Sequence, residues 1–300
     1  MTESRINILI ESYLKELSGI RRLSDNTLSA YQNDLSEFTT FLTEKGIIEL
    51  ADVTLKTMRH YLLYLNSEKE LGKSSISRKL ATLRGLFRFL MRNNLVENNP
   101  LAEIQNPKAK RKLPETISID SFESIYSEVD KNEGNKEKNL LVKAIFELLY
   151  GCALRVSELC SITINDLDLQ KQTLRIVGKG SKTRIVPVGD KSKKIMEEYL
   201  KQRNGKSEKP YLFLTSSQRP VTPRYVQRIV KRYLGEVSDI EKKSPHTLRH
   251  AAATHMLDKG ADIMAVKEIL GHENLSTTQI YTHVSVERLK KTYKTAHPKS

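Results

Sequence analysis

Residues 244–260 read SPHTLRHAAATHMLDKG, a stretch that specifies one helix together with both of its ends. Ser244 is a favourable N-cap, and Pro245 suits the first helical position, where a missing N–H costs nothing. Gly260 suits the position just past the end, where a left-handed backbone is common. We therefore predict a helix between these points.

Two side chains near the start of this helix have the chemistry to handle a phosphate. His246 and Arg249 lie three residues apart on one face, where unpaired N–H groups and the helix dipole favour an anion. Arg249 can donate paired hydrogen bonds to phosphate, and His246 can exchange a proton near pH 7. His246 and His250 are also spaced for zinc, but no HExxH motif, cysteine or carboxylate pair completes a site. We interpret His250 and His255 as packing or supporting residues.

The next segment, DIMAVKEILGH, predicts another helix. Asp262 caps it, and Gly271 ends it. His272 follows on the connection, where it is placed either to hydrogen-bond a phosphate oxygen or simply to be an ordinary loop histidine. The side chains predicted to face inward are Ile263, Val266, Ile269 and Leu270.

Tyr281, in NLSTTQIYTH, is the candidate nucleophile. Ser276 and Gln279 fit a capping box, which predicts a short helix with Tyr281 in its second turn. A phenol with a pKa of ~10 is a poor nucleophile at neutral pH, but cationic neighbours favour the phenolate. A packing role is the alternative, since the chain has 12 tyrosines.

A cationic candidate, Arg155, lies upstream in GCALRVSEL. We predict a helix over 138–150 that Gly151 ends, so that Arg155 follows the helix break. Glu158 stands three residues further on. The two side chains form either a simple ion pair or an arrangement in which Glu158 orients Arg155 toward a substrate.

Residues 172–188, QTLRIVGKGSKTRIVPV, predict a β-hairpin because two β-branched runs flank a glycine-rich turn. Lys179 lies in that turn between two glycines, which leaves its side chain free to reach outward. It is placed either to protonate a departing sugar oxygen or simply to lie exposed. The G-x-x-x-x-G-K-[ST] pattern is not met, which excludes an ATP-binding loop.

The first hundred residues predict an all-helical domain. Ser24 can cap a helix with one apolar face, and a later helix runs from about Ser74 to Asn93. The first face consists of Leu28, Tyr31, Leu35, Phe38 and Leu42, and the later helix turns Leu80, Leu83, Phe87 and Leu90 inward.

The later helix also carries a basic stripe, defined as Arg84, Arg88 and Arg92. No acidic residue occurs between Gly72 and Asn94, so the stripe has no partner on its own helix. An unpaired basic stripe costs repulsion, and it favours contact with a phosphate-rich partner over a plain solvated face.

A basic linker is predicted at 106–114, NPKAKRKLP, because prolines bracket it and disfavour helix. Its charge suits a phosphate backbone, although a merely solvated linker is the alternative. The basic residues are Lys108, Lys110, Arg111 and Lys112. Charge is uneven along the chain: residues 1–107 hold 14 Lys and Arg against 13 Asp and Glu, whereas residues 108–300 hold 36 against 23.

The overall composition favours a polyanion partner and two domains. The chain has 300 residues and a formal net charge of +14. No apolar run approaches the roughly 18 residues of a membrane span, and no secretory signal is apparent, so we expect a cytoplasmic protein without membrane contact. Cys152 and Cys160 lie in apolar sequence and are interpreted as buried thiols rather than a disulfide or metal site. The last dozen residues, including KKTYKTAHPKS, are interpreted as a polar tail.

Together, these motifs resemble the tyrosine recombinase (phage integrase) family and closely its bacterial Xer branch. The resemblance lies in ALRVSEL, GKGSKTRIVPV, PHTLRHAAATHML, ILGHENLSTTQIYTH and AHPKS, and more weakly in S-x-x-T-x-x-x-Y-x-x-D-L over residues 24–35. It implies a mainly α fold with a small β-sheet. The implied domains are a helical SAM-like core-binding domain over 1–105, the linker over 106–114 and an α+β catalytic domain over 115–300.

The same resemblance implies the chemistry. Tyr281 would attack the scissile phosphate to form a 3′-phosphotyrosyl link, with neither metal nor ATP and no cofactor. Arg155, Arg249 and His272 would stabilise the transition state, Lys179 would act as general acid, and His246 would assist proton movement. The partners implied are double-stranded DNA, a homo- or hetero-tetramer on two DNA sites with the C-terminal tail packing on a neighbour, and a septal DNA translocase.

Other functions are compatible with parts of the pattern. Within the family, an integrase or invertase of a mobile element is the alternative to chromosome or plasmid dimer resolution. A type IB topoisomerase shares the chemistry. A DNA-binding regulator would explain the charge but not the spaced Arg, Lys, His and Tyr set, and a metal-dependent nuclease is a further alternative.

Overall fold

The computed structural model describes residues 5–19, 23, 25–107, 115–131, 135–178, 183–203, 210–271 and 283–299. The chain divides into two compact units, Met1–Lys112 and Leu113–Ser300, each with its own apolar core. Among the described residues, no helix combines the length and apolar composition needed to cross a membrane. The fold class is the predicted one, mainly helical with one small sheet.

In the described part of the first unit, all of the regular secondary structure is helical. Its α-helices are α1 (Arg5–Gly19), α2 (Asp25–Glu44), α3 (Leu55–Leu63) and α4 (Lys73–Arg92). The predicted inward face of α4 is confirmed, because Leu80, Leu83, Phe87 and Leu90 are fully buried. On α2, Leu35, Phe38 and Leu42 are fully buried, whereas Leu28 and Tyr31 pack at the edge of the core.

The second unit surrounds one central helix. Its α-helices are α5 (Ile119–Lys131), α6 (Lys136–Gly151), α7 (Val156–Ser161), α8 (Asp190–Arg203), α9 (Pro223–Val237), α10 (Pro245–Asp258), α11 (Ile263–Leu270) and α12 (His283–Ala296). Helix α6 is the buried one: nearly every side chain from Leu141 to Gly151 lies in the core. Helices α5, α8, α9 and α10 pack around it.

The predicted hairpin is present and gains a third strand. Strands β1 (Leu167–Asp168), β2 (Thr173–Val177) and β3 (Thr183–Pro187) form an antiparallel sheet in that order. Leu174 pairs with Val186, and Ile176 pairs with Arg184. Side chains alternate between the two faces of a strand, so this register places Arg184 on the inward face beside Val186.

Helix α6 runs one residue further than predicted. Its C-cap is Cys152, and the left-handed residue that turns the chain is Ala153, with φ 49°. Gly151 serves close packing instead, because a Cβ at this position would lie 2.7 Å from Ser192 Oγ. The glycine is therefore needed where α8 approaches α6, not where the helix ends.

The helix from the opening stretch has the predicted limits. Ser244 is the N-cap residue and Pro245 occupies the first position, although the Ser244 hydroxyl contacts Thr247 Oγ1 (3.2 Å) rather than a backbone N–H. Gly260 follows the end with φ 81°. In α11, Asp262 caps Met264 N and Gly271 adopts φ 62°, both as predicted. The inward assignment of Ile263 is wrong, since this residue lies outside the buried stripe of its helix and is 55% exposed.

The C-terminal segment is not a polar tail. Helix α12 packs against β3, α10 and α11, and His297 and Lys299, which follow it, are buried in the same unit. Lys299, only 1% exposed, places its Nζ 3.1 Å from both Glu147 Oε1 and Glu123 Oε1. Tyr293 donates to Gly151 O at 2.9 Å. The prediction failed because lysine was treated as a solvated residue, whereas this lysine neutralises a carboxylate buried in α6.

Replacing Lys299 by Met removes the cation beside the buried Glu147 carboxylate. We expect the free energy of unfolding of the second unit to fall by about 3 kcal/mol, because the carboxylate stays buried without that partner. Urea unfolding of the full chain, followed by circular dichroism, measures the change. Lys294→Met, an exposed lysine on α12, is the matched control and should alter stability by less than about 0.5 kcal/mol. Equal losses from the two substitutions would contradict the prediction.

Candidate active site

Arg155 is held at the start of α7 by Glu158. The backbone N–H of Arg155 donates to Glu158 Oε2 at 2.8 Å, and its Nη1 donates to Glu158 Oε1 at 2.8 Å. Ala153, in its left-handed conformation, turns the chain out of α6 just before this point. Glu158 therefore fixes both the backbone and the guanidinium of Arg155, so the ion pair and the orienting role are the same interaction.

A second arginine, Arg184 on β3, binds the same carboxylate. Its Nη1 and Nη2 donate to the two oxygens of Glu158 at 2.7 and 2.9 Å, a two-pronged geometry that lysine does not reproduce. The side chains of Arg184 and Glu158 are both buried. Sequence reasoning missed Arg184, although strand alternation was a usable signal: it places this arginine on the face occupied by Val186.

Arg249 reaches the cluster from α10 and is likewise buried. Its Nη1 donates to Ala153 O at 2.6 Å and lies 3.7 Å from Glu158 Oε2. Burial lowers the pKa of Arg249 to about 10, assisted by the positive charge of Arg155 and opposed by Glu158. The guanidinium therefore remains charged at neutral pH.

The three arginines also meet at the C-terminal end of α11. Three successive backbone carbonyls each accept from a different arginine: Ile269 O from Arg184 Nε at 3.0 Å, Leu270 O from Arg249 Nη2, and Gly271 O from Arg155 Nη2 at 3.2 Å. The last carbonyls of a helix lack intrahelical partners and form the negative end of its dipole. Cations are therefore favoured at this point.

We call Arg155, Arg184, Arg249 and Glu158 the arginine cluster. Three positive charges surround one negative charge, which leaves a surplus of positive charge. The cluster opens to solvent at Arg155, whose side chain is 37% exposed, whereas the other three side chains are buried. A partly buried cationic site with an excess of N–H donors is suited to bind an anion with oxygen acceptors in several directions.

The charge of Glu158 depends on the same contacts. Burial by itself raises the pKa of this carboxyl, but the hydrogen bonds and charge of Arg184, with hydrogen bonds from Arg155, outweigh burial and lower the pKa from 4.5 to about 2. The carboxylate is therefore ionised throughout the neutral range.

Of the remaining predicted catalytic residues, His246 lies exposed in the first turn of α10. Lys179, His272 and Tyr281 lie outside the described residues. Their described neighbours in sequence are the ends of β2 and β3 for Lys179, Gly271 for His272, and the start of α12 for Tyr281.

His250 and His255 differ from each other. His255 is buried, and its Nδ1 lies 2.7 Å from Tyr150 Oη, as expected for a packing residue. His250 is exposed, so the packing alternative is wrong for this residue, and a supporting role stays a prediction. Cys152 is buried, whereas Cys160 is only partly so, and both are free thiols. Among the described residues, no group of three His, Cys, Asp or Glu side chains is arranged to hold a metal ion.

Two arginines of the basic stripe on α4 have partners outside their own helix. Arg92 contacts Glu16 of α1 at 2.5 Å, and Arg84 donates to Asn106 Oδ1 at 2.7 Å. Arg88 is exposed and donates to Arg84 O at 3.2 Å. The stripe therefore has partners on other segments, so the premise that it is unpaired is wrong for Arg92. The four basic linker residues, Lys108, Lys110, Arg111 and Lys112, lie outside the described residues.

A second basic stripe, which sequence reasoning missed, lies on α9. Arg224, Arg228 and Arg232 recur every four residues and are exposed, with Lys231 beside them. Arg228 lies over the Tyr225 ring at 5.6 Å. The four-residue spacing was the signal that identified the stripe on α4, and it was available here too. The opposite face of α9 is buried in the core of the second unit.

Comparison with known proteins gives consistent matches. The model of the phage integrase family matches residues 115–288, and that of the phage integrase N-terminal SAM-like domain matches residues 10–94. The tyrosine recombinase XerC of Pelobacter propionicus is 42% identical over 97% of this chain and 95% of its own. The tyrosine recombinase XerD of Halalkalibacterium halodurans is 35% identical over 98% of this chain and 99% of its own.

Solved structures share the fold. A XerH site-specific recombinase bound to a palindromic difH substrate superposes with a TM-score of 0.72 at 24% identity, over 94% of this chain and 82% of that one. A lambda integrase dimer bound to a COC′ core site gives a TM-score of 0.70 at 19% identity, over 91% and 98% of the two chains.

The pKa of Glu158 makes the stability of the cluster dependent on pH. Because this pKa is about 2 in the folded protein instead of 4.5, the ionised carboxylate stabilises the fold fully above about pH 5, and this contribution is lost as the pH falls towards 2. Glu158→Gln should lower the free energy of unfolding by about 3 kcal/mol at pH 7, and the difference from the unsubstituted protein should shrink below about pH 5.

Urea unfolding at a series of pH values from 7 to about 3 tests this expectation. Glu236→Gln is the control, because Glu236 forms an exposed ion pair with Arg232, and it should cost less than about 1 kcal/mol. A loss in Glu158→Gln that stays constant across the pH series would contradict the assignment.

Proposed function

The chain belongs to the phage integrase family, and we propose that it is a site-specific tyrosine recombinase of the Xer type that cuts and rejoins double-stranded DNA. The family model covers more than half of the chain, and the XerC and XerD relatives are matched along almost their whole length. Action on a chromosome or plasmid keeps the protein in the cytoplasm with its DNA.

The observation that carries the proposal is the arginine cluster with its surplus positive charge. A phosphodiester gains negative charge as it passes to a five-coordinate transition state. Donors that are already in place stabilise that charge without reorganising, and partial burial strengthens each interaction. Arg155 and Arg249 are two such donors, both anchored before any substrate arrives.

We assign the chemical steps as follows. The Tyr281 oxygen forms a bond to phosphorus while the bond from phosphorus to the 5′ oxygen breaks, leaving a 3′-phosphotyrosyl link. Lys179 supplies the proton that the 5′ oxygen takes up, and His246 receives the phenolic proton. His272 donates a hydrogen bond to a phosphate oxygen. One phosphoester replaces another, so religation to a new strand needs no external energy source.

The basic stripes on α4 and α9 and the basic linker are proposed as phosphate contacts that position the duplex. Such contacts release counterions, so binding should weaken steeply as salt is raised. We further propose that four protomers act together on two DNA sites. A second recombinase serves as partner, and a septal translocase controls the reaction. The proposed role is dimer resolution, in preference to integration or inversion of a mobile element.

The first test maps covalent adducts between the protein and the DNA of its source organism. We expect the unsubstituted protein to form adducts at one or a few specific sites, and the location of these sites distinguishes chromosome dimer resolution from mobile-element integration. Tyr281→Phe should abolish adducts because the nucleophilic oxygen is missing. Tyr211→Phe, at an exposed tyrosine, is the matched control and should retain them. Adducts from Tyr281→Phe would show that another residue attacks.

A second test examines Lys179 as the general acid. Lys179→Ala should slow cleavage of a nicked suicide substrate by roughly 100-fold, because the 5′ oxygen then leaves without a proton. A 5′-thio leaving group needs little protonation, so the same variant should cleave that substrate at nearly the unsubstituted rate. Lys191→Ala, a partly exposed lysine outside the hairpin, is the control. Equal slowing on both substrates would exclude the general-acid role.

A further inference from the structure

We propose that Arg184 is a positioning residue for this reaction: it neutralises Glu158 so that Arg155 and Arg249 keep their charge and donors for the phosphate. The inference rests on the proposed function, because it concerns the same cluster. All three guanidinium nitrogens of Arg184 already donate to protein acceptors, Nε to Ile269 O and Nη1 and Nη2 to Glu158, so Arg184 acts through its neighbours rather than on the substrate.

The orientation of Arg155 depends on contacts that Arg184 makes with Glu158. Arg184 bonds both oxygens of Glu158, at 2.7 and 2.9 Å, and this fixes the plane of the carboxylate. Arg155 bonds that carboxylate through one guanidinium nitrogen and its own backbone N–H. A carboxylate that is free to rotate would no longer hold Arg155 in one orientation. The position of Arg155 therefore depends on Arg184.

Arg184 also sets the charge that the arginine cluster presents to solvent. Without Arg184, the buried carboxylate would have two remaining cations within reach, Arg155 at 2.8 Å and Arg249 at 3.7 Å. Each would be drawn toward Glu158, and their combined field at the open side of the cluster would fall by one positive charge. Arg184 prevents this because it neutralises the carboxylate of Glu158 through two parallel charged hydrogen bonds.

Arg184 also packs on the C-terminal end of α11. Its Nε donates to Ile269 O at 3.0 Å, and a Cβ added to Gly271 would lie 3.0 Å from Arg184 Cδ and Nη1. The guanidinium therefore packs directly on Gly271. Because Gly271 also accepts from Arg155 and directly precedes His272, Arg184 links β3 to the segment that carries the next predicted catalytic residue.

A neighbouring arginine supplies a matched control. Arg175, on β2, forms an ion pair with Asp166, its Nε lying 2.9 Å from Oδ1. It belongs to the same sheet and the same residue type, but it lies on the exposed face away from the cluster. Arg175→Gln thus removes an arginine–carboxylate pair without touching Glu158.

The experiment compares Arg184→Gln, Arg184→Lys and Arg175→Gln with the unsubstituted protein. A suicide duplex is built on the mapped cleavage site, once with a normal scissile phosphate and once with a methylphosphonate, which lacks one negative charge. Adduct formation is timed on each duplex, binding is measured by fluorescence anisotropy, and thermal unfolding confirms that each variant is folded.

On the normal phosphate, we expect Arg184→Gln to slow adduct formation by about 10- to 100-fold while DNA affinity changes by less than about threefold. On the methylphosphonate, the deficit should shrink at least about fivefold, because less charge needs stabilising. Arg184→Lys, which keeps the charge but not the two-pronged contact, should fall in between, and Arg175→Gln should match the unsubstituted protein. If Arg184→Gln does not fold, the deficit and its relief are read from Arg184→Lys.

Two outcomes would overturn the proposal. One is cleavage by folded Arg184→Gln at the unsubstituted rate. The other is an equal deficit on both substrates, which would indicate general damage to the site. Absence of any adduct with the unsubstituted protein is a different result, since it would reject the proposed function itself.

A readout without cleavage separates the two claims further. Inorganic phosphate should raise the melting temperature of the unsubstituted protein and of Arg175→Gln equally, because binding to the folded state stabilises it. The rise should be less than half as large in Arg184→Gln. The same rise in all three proteins would show that Arg184 does not keep the cluster available to an anion.

Discussion

The arrangement of the cationic side chains in the second unit depends on the ion pair between Glu158 and Arg184. Both side chains are buried. The two Nη atoms of Arg184 donate to the two carboxylate oxygens of Glu158, so neither side chain can turn without breaking two charged hydrogen bonds. Replacing a buried pair of this kind by apolar residues is often neutral or stabilising, so such a pair is weak evidence for a role in stability alone. The role of the pair here is to orient Arg155 at the start of α7 and, at longer range, Arg249 on α10.

The C-terminal end of α11 supplies the other half of this arrangement. A helix end leaves carbonyls without partners, and a fold must satisfy them if they are buried. Here three consecutive carbonyls take one arginine each, which brings together side chains from β3, α7 and α10. Glycine is favoured at position 271 for two reasons: its backbone is left-handed, and a Cβ would make a tight contact, 3.0 Å, with Arg184. The same residues thus satisfy the helix end and assemble a cationic site.

Local signals made much of the fold predictable from the sequence. Capping residues, proline and glycine placed the limits of α10 and α11, and β-branched runs placed the hairpin, because these features depend on a few neighbouring residues. The errors share a different cause. The pairing of Arg92 with Glu16, the burial of Lys299 beside Glu147 and the grip of Arg184 on Glu158 each join residues far apart in the chain. Charge and spacing read along the sequence therefore did not reveal these pairings. The residues of the cluster itself were found only where a motif carried them, as with Arg155 and Arg249.

The buried C-terminal segment fixes α12 within the second unit. In the sequence, residues 272–282 lie between Gly271 and α12 and include the catalytic candidates His272 and Tyr281. On one side Gly271 is bonded to Arg155; on the other, Tyr293 bonds Gly151 and Lys299 pairs with Glu147, so α12 is held on α6. Burial of a lysine is costly unless the lysine is paired, and Lys299 is paired with both Glu147 and Glu123. The described residues that flank the predicted nucleophile in sequence are therefore both fixed within the second unit, Gly271 by Arg155 and α12 by Tyr293 and Lys299.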